Sequence, residues 1–526
     1  MRAAPLVGVL LVAAVVAGAS PARRPPSDRA LALRGLEHAV DAGALTAEEA
    51  AGYRALLNRV PGLLRTLPPL RARELRGVLH DVAAQRRAYS RPRALTLFST
   101  LALNEDWLSS HRLPEPGTDV RDAEGIVYRY FPGHGFAFHP LAEFAELNGA
   151  VSRADEENAS ALAQALLLRA VPSRGGLVWE YEFPFSGGRP PWTSGMAQAV
   201  AAQALGRAAD LLSDASLLDA ADGAYAPVAG LVTQMPTGPW IRLYSFARAP
   251  VLNAQLQTIL SLGDYAEISG NDAAATVVER LKAAAKALLP RFDTGYWSLY
   301  SLAGDESSRS YHEYVVALLR TLTNRDGDPA WKETADRFAA YETQPPILKP
   351  GPAVPTLYPR PADGYRDEAR FRIWLSKLSD VTLKVAGGSH TVRLGHGPHT
   401  LVWAPGLGRA PGLYHPLVRA WDQNGHQVSV PLAPVLVRYD LAPPPLEAHV
   451  TAPSTLSWSS TDEGTPWLAL AVHLDAGAVH RVLKLGRRGR SGSVALRLPP
   501  GRWRAHLAAV NSAGKVGRVS LGILPR

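Results

Sequence analysis

Trp192-Thr193-Ser194-Gly195-Met196-Ala197-Gln198-Ala199-Val200 decides how the middle of this 526-residue chain is built. Thr193 and Ser194 are residue types that accept the free N–H groups at a helix start. Met196, Val200, Ala204, Ala208 and Leu211 then recur at steps of four and three, the repeat of a helix with one apolar face. The pattern repeats downstream. Leu252, Leu256, Ile259 and Leu260 mark a second helix. Asn271 or Asp272 caps a third, with Val277, Val278, Leu281 and Leu288 inward. Asp328-Pro329 opens a last one carrying Trp331, Ala335 and Phe338. Helices in antiparallel pairs over residues 96–345, joined by aromatic loops, predict a bundle or an α/α toroid.

Upstream, residues 20–95 read as an N-terminal helical segment. Thr46 and Glu49 make a capping box, Tyr53, Leu56, Leu57 and Val60 follow at helical spacing, and Pro61, Pro68 and Pro69 are expected to end helices. Residues 1–19 have the form of a signal peptide, with Arg2, an apolar stretch over 6–16, and Ala17-Gly18-Ala19 for cleavage. Secretion or a place in the cell envelope is therefore expected, and an uncleaved leader would serve as a membrane anchor. Downstream, residues 346–363 are a Pro-rich linker, after which the period falls to two. Residues 371–375, 381–385 and 399–403 alternate like strands, with Gln423-Asn424-Gly425 as a turn. Residues 502–507, Asn511-Ser512-Ala513-Gly514 and residues 516–521 resemble the closing strands of a fibronectin-like sandwich. The expected fold is multidomain α plus β: a toroid-like helical domain, then one or two Ig/fibronectin-like modules at 364–441 and 442–526.

With 47% hydrophobic residues the chain can bury real cores, in roughly two to four domains. Its formal charge of +9 favours an acidic partner, unless it reflects only an Arg-rich coding bias. Lys and Arg are scattered without interleaved stacking aromatics, so an anionic glycan is expected and nucleic acid is not. The sequence leaves a homodimer open. The absence of cysteine excludes disulfides, thiolate metal sites and thiol catalysis. No His-Glu-x-x-His, P-loop, Rossmann glycine pattern or Gly-x-Ser-x-Gly occurs, and His390, His396 and His399 sit among turn glycines. Neither cofactor nor metal is expected.

Three aromatic loops abut helix starts. One runs Trp179-Glu180-Tyr181-Glu182-Phe183-Pro184-Phe185 and on through Arg189 to Trp192. Another is Trp240-Ile241-Arg242-Leu243-Tyr244-Ser245-Phe246-Ala247-Arg248. The third is Thr294-Gly295-Tyr296-Trp297-Ser298-Leu299-Tyr300-Ser301-Leu302, leading into Arg309-Ser310-Tyr311-His312. Aromatics offer flat faces to sugar rings and Arg pairs with carboxylates, though such clusters also build cores. Tyr311 shows the ambiguity. Val315, Leu318 and Leu322 continue its helical face as a core would, yet a first-turn phenol after Arg309 also suits a base at a cleft rim.

Trp192-Thr193-Ser194-Gly195-Met196-Ala197-Gln198, Val251-Leu252-Asn253, Asp293-Thr294-Gly295, Leu299-Tyr300-Ser301-Leu302 and Tyr311-His312, in that order, resemble the C-terminal region of the D-glucuronyl C5-epimerases. Upstream, Gly135-Phe136-Ala137-Phe138-His139-Pro140-Leu141 is similar to that family's Gly-aromatic segment, so the likeness covers about residues 125–342. It implies an α/α barrel that converts glucuronic to iduronic acid units within a heparosan-like chain, with tyrosine catalysis falling on Tyr244, Tyr300 and Tyr311. Tyr128 or Tyr130 would stand for a further tyrosine. Two positions depart from the family pattern: Leu243 replaces an acidic residue and Ser301 an Asp. One phenol would withdraw the carbon-5 proton and another return it to the opposite face. Arg248, Arg309 or His312 would neutralise the developing charge, with Trp192, Arg189 and Tyr181 binding substrate. A uronate lyase would share the first step, and a non-catalytic glycan-binding protein would use the same surfaces.

Overall fold

Ser27, Thr46, Ser194, Ser308 and Asp328 each accept an N–H from the first turn of a helix, as their side chains dictate. The computed structural model describes residues 26–525 apart from 174 and 453, so the expected leader lies outside the described residues. Among these residues are twelve α-helices. They are α1 Asp28–Asp41, α2 Ala47–Thr66, α3 Pro69–Ala84, α4 Arg91–Ser110, α5 Pro140–Ser152 and α6 Glu156–Leu168, then α7 Gly195–Leu212, α8 Ala215–Tyr225, α9 Leu252–Ser269, α10 Asp272–Leu288, α11 Arg309–Asp326 and α12 Pro329–Thr343. Asn271, not Asp272, accepts from the Ala274 N–H at the start of α10.

Pro61 does not end a helix but lies inside α2. Its missing N–H frees the Leu57 carbonyl, which accepts from Arg29 Nε at 3.1 Å. The boundary expected at 95/96 falls within α4. Leu97, Phe98 and Leu101 of that helix fill the same core as Leu36, Leu57 and Leu75, so the N-terminal helical layer runs on to Ser110. A three-stranded antiparallel sheet follows, Asp119–Arg121, Val127–Phe131 and Gly135–Phe138. It was not anticipated, and it buries Tyr128 and Tyr130.

The chain divides into two compact units. One comprises residues up to Met235 with Pro239–Arg248 and Gln257–Leu281; the other holds Pro236–Gly238, Ala249–Leu256 and Lys282–Arg526. In the first, α7 packs against α5 and α8; in the second, α11 packs against α12.

The second unit continues into two β-sandwiches. The first pairs a four-stranded sheet (Gly388–Leu394, Ser379–Val385, Leu417–Asp422, Gln427–Pro431) with a three-stranded one (Gly397–Trp403, Ala369–Leu375, Leu348–Pro350). Phe371, Ile373, Val381, Leu383 and Val418 fill the space between. The stretch expected as a linker belongs to this module. Leu348–Pro350 is its edge strand, where Pro is tolerated, and Leu357 is fully buried with its N–H bonded to the Leu436 carbonyl. The second sandwich sets Glu447–Thr451, Thr455–Ser459 and Ser491–Ala495 against Val479–Arg488, Leu468–Ala476, Arg502–Val510 and Val516–Pro525. Leu456, Trp458, Leu470, Val472 and Leu507 form its core.

Candidate active site

Ahead of α11 the chain doubles back between Asp293 and Ser307. Asp293 bridges to Ser298 and Leu299 to Glu306, while Gly295 (φ +82°) and Gly304 (φ +110°) make the turns. Trp297 is buried beneath, its Nε1–H donating to the Ser307 carbonyl at 2.9 Å. The Tyr300 N–H donates to the Asp305 carbonyl at 2.7 Å, and its own carbonyl accepts from Leu252 N–H at 3.2 Å. The half-buried Tyr300 is therefore fixed through its backbone on both sides.

Tyr311 lies in the first turn of α11, its N–H received by the capping Ser308 hydroxyl. It is 43% exposed, whereas His312, Val315, Val316, Leu318, Leu319 and Leu322 are buried. The phenol thus stands off the core stripe that its spacing suggested. The Tyr300 and Tyr311 rings meet at 5.0 Å between centroids, tilted by 55°. A sugar ring sandwiched between them would need about 7–8 Å, two van der Waals contacts, so the two phenols serve one side of any ring they meet. Tyr314, one turn further on, was missed in the sequence, although i, i+3 spacing puts it beside Tyr311. Burial, then Tyr311, pushes its phenol up to about 12.

His312 does not face solvent. Its ring stacks on Trp297 at 3.7 Å. The Phe338 carbonyl, 2.9 Å from Nε2, can only accept, so Nε2 carries the proton and Nδ1 accepts from the Ser298 hydroxyl at 2.8 Å. Burial lowers this imidazole to about 4, and it is neutral at ordinary pH. It ties α11 to the Tyr300 loop. Arg309 is exposed, with its guanidinium 2.7 Å from Glu313 and its N–H on the Gln423 side chain at 3.1 Å. A groove of about 700 Å³ behind the loop is lined by Asp293, Asp305 and Glu306, whose charges oppose a uronate. Glu306 instead accepts the N–H groups of Leu378 and His396, joining the loop to the first sandwich.

The other two aromatic loops lie in the first unit. Tyr181 and Trp192 stack at 4.0 Å and are buried with Phe183, so they form a base and not a contact face. The accessible rings lie on top. Tyr244, half-buried, meets Trp192 edge-on at 5.5 Å and stacks with Phe246, which is 38% exposed. Phe185 completes this platform. Gly188 makes it possible, since a Cβ there would lie 2.2 Å from the Phe246 ring. Arg189 and Arg248 are exposed. Below, Arg93 holds Glu180 in a two-pronged pair at 2.6 and 2.9 Å, and burial raises the Glu182 carboxyl.

Residues 175–340 match the family described as D-glucuronyl C5-epimerase C-terminus. This segment is similar to the C-terminal part of the glucuronyl C5-epimerases. The matched segment holds all three aromatic loops, with Tyr244, Tyr300 and Tyr311 inside it. An uncharacterized protein of Methanocaldococcus jannaschii is 28% identical over 192 residues, 34% of this chain and 59% of that protein's length. Among solved structures, the GH76 α-mannanase BT2949 of Bacteroides thetaiotaomicron is 15% identical, with a TM-score of 0.30 over 39% of this chain and 59% of that one. The family 8 endoglucanase Cel10 of Klebsiella pneumoniae is 13% identical, with a TM-score of 0.31 over 41% and 73%. Fibronectin(III)-like modules of CbhA from Clostridium thermocellum are 12% identical, with a TM-score of 0.19 over 34% and 94%. These scores are too low to assign a shared fold.

Proposed function

We propose that the chain inverts carbon 5 of glucuronic acid units in an anionic, heparosan-like polysaccharide, with the Tyr300–Tyr311 pair removing the proton from one ring face and a proton returning on the other. The observation that carries this reading is the pair itself: two tyrosines of the matched segment in ring contact, one exposed at a helix start. The carbon-5 proton is weakly acidic because the adjacent carboxylate resists further negative charge. A phenolate of the pair takes that proton, the electron pair spreads onto the carboxylate, and a cation offsets it, Arg309 at the start of the same helix being the candidate. A second proton donor then returns a proton to the other face of the carbon. His312 is a positioning residue in this scheme, and the Tyr244–Phe246 platform offers stacking surface to sugar rings. The α/α toroid implied by the family is part of the same proposal, as is action outside the cytoplasm.

The one-sided tyrosine pair also favours a second reading. A base and an acid on one side of the ring suit a lyase that removes the carbon-5 proton and protonates the departing carbon-4 oxygen. Heparosan, glucuronan or alginate incubated with the full chain in deuterated buffer separates the two. Deuterium at carbon 5 with unchanged chain length is expected. Shortened chains with ultraviolet-absorbing ends would make the protein a lyase, and binding without any solvent exchange would leave a glycan-binding protein.

A further inference from the structure

The second sandwich carries a concentration of positive charge that this chemistry does not use. Residues 442–526 hold eleven Lys and Arg against four Asp and Glu, so this short module accounts for +7 of the chain's formal +9. Strand register decides which charges share a face. In Leu468–Ala476 the residues Leu468, Leu470, Val472 and Leu474 enter the core, so His473 and Asp475 point outward. Their directly paired neighbours point the same way: His480 opposite Asp475, and His506 and Arg504 opposite His473 and Asp475. Lys484 and Arg487 continue the face on one side. Arg502 and Arg518 continue it on the other, and all four are exposed.

The imidazoles form a cluster at its centre. His473 and His506 stack at 4.7 Å, and a ring nitrogen of His480 lies 3.4 Å from His473. One carboxylate meets them, Asp475, 2.6 Å from His480 and 4.0 Å from His506. Arg487 lies over the Trp467 ring at 4.0 Å.

We propose that this outward face binds a stretch of anionic polysaccharide and that protonation of its three histidines strengthens the binding in mild acid. The polymer class rests on the reading given under Proposed function. The face itself fits that class, with five permanent cations spread over three strands against one carboxylate, matching carboxylates spaced along a chain. The outward positions of these strands carry no Phe, Tyr or Trp on which nucleic-acid bases would stack. Burial, then His506, His480 and Arg518, holds His473 below its ordinary value. A bound carboxylate offsets that repulsion, so binding draws protons in.

The test uses the full chain carrying Tyr311→Phe, so that turnover leaves the glycan unaltered, with heparosan as probe. Affinity is expected to be about tenfold higher at about pH 5 than at about pH 7.5. The triple variant His473→Gln, His480→Gln, His506→Gln should lose that ratio. Asp475→Asn should bind more tightly at both values, a gain that misfolding cannot produce. A ratio that persists in the triple variant, or equal affinity for a DNA duplex or for neutral dextran, overturns the proposal. Carbon-5 exchange on short oligosaccharides, with Tyr311 intact, should be unchanged by the triple substitution. If no exchange occurs but pH-dependent binding remains, the catalytic reading fails and this one stands.

Discussion

Tyr311 and His312 are neighbours in sequence with opposite surroundings, one 43% exposed and the other fully buried. Tyr311→Phe removes only the hydroxyl and keeps the ring contact with Tyr300. Carbon-5 exchange should fall by about 10²–10⁴-fold while glycan affinity stays within a few-fold; Tyr300→Phe should do the same. Full exchange in both variants would remove the pair from the chemistry. His312 governs stability instead. Its folded value of about 4 lies below the ordinary 6.5, so between these the unfolded chain binds a proton that the folded chain refuses. Its contribution is complete above pH 6.5 and is lost as pH falls toward 4, up to about 3 kcal/mol for this buried group. His312→Gln should flatten the fall of melting temperature across that window. His139, lowered by burial to about 3, leaves a residual slope of the same sign. An unchanged slope in the variant would contradict the assignment.

At the scale of elements, caps and periodic apolar residues were legible and long-range partners were not. Thr46 with Glu49, Ser194 and Asp328 mark helix starts by local chemistry, and the structure has them there. Pro61 was misread because the group that satisfies the Leu57 carbonyl is Arg29, which lies in another helix. The Pro-rich stretch looked like a linker because edge strands tolerate proline and carry little alternation. Tyr181 and Trp192 were legible as a cluster, but not which of its rings lie beneath and which on top. Gly188 makes that layering testable. Gly188→Ala places a methyl against Phe246, a ring at the surface that can swing away. The expected result is a stability loss of no more than about 1–2 kcal/mol with an altered near-ultraviolet dichroism and weaker glycan binding. Unaltered binding would show that the Tyr244–Phe246 stack does not contact the ligand.

At the scale of the molecule, the boundary drawn near residue 345 divides sequence periods but not the second compact unit. Lys377, buried at the start of the first sandwich, pairs with Asp422 at 3.1 Å and donates to the Tyr341 carbonyl at 2.9 Å and to that of Gln344. A cation at the C-terminal end of α12 is favoured by the helix dipole, and its ammonium also lies over Trp297, the floor of the Tyr300 loop. Gln423 and Asn424 donate to the Ser307 and Glu342 carbonyls from the same sandwich. The tyrosine pair therefore depends on a β module that contributes no chemistry. Lys377→Met would take one cation from the buried Asp422 and leave it His426 at 3.2 Å and the N–H groups of Asn424 and His426, at about 2–3 kcal/mol. Melting temperature and carbon-5 exchange should fall together, and adding Asp422→Asn should restore part of the stability by removing the charge while keeping an oxygen for the Asn424 and His426 N–H groups. If Lys377→Met instead melts early yet exchanges at the parent rate well below its melting point, the sandwich is a passenger on the helical domain and does not hold the loop in place.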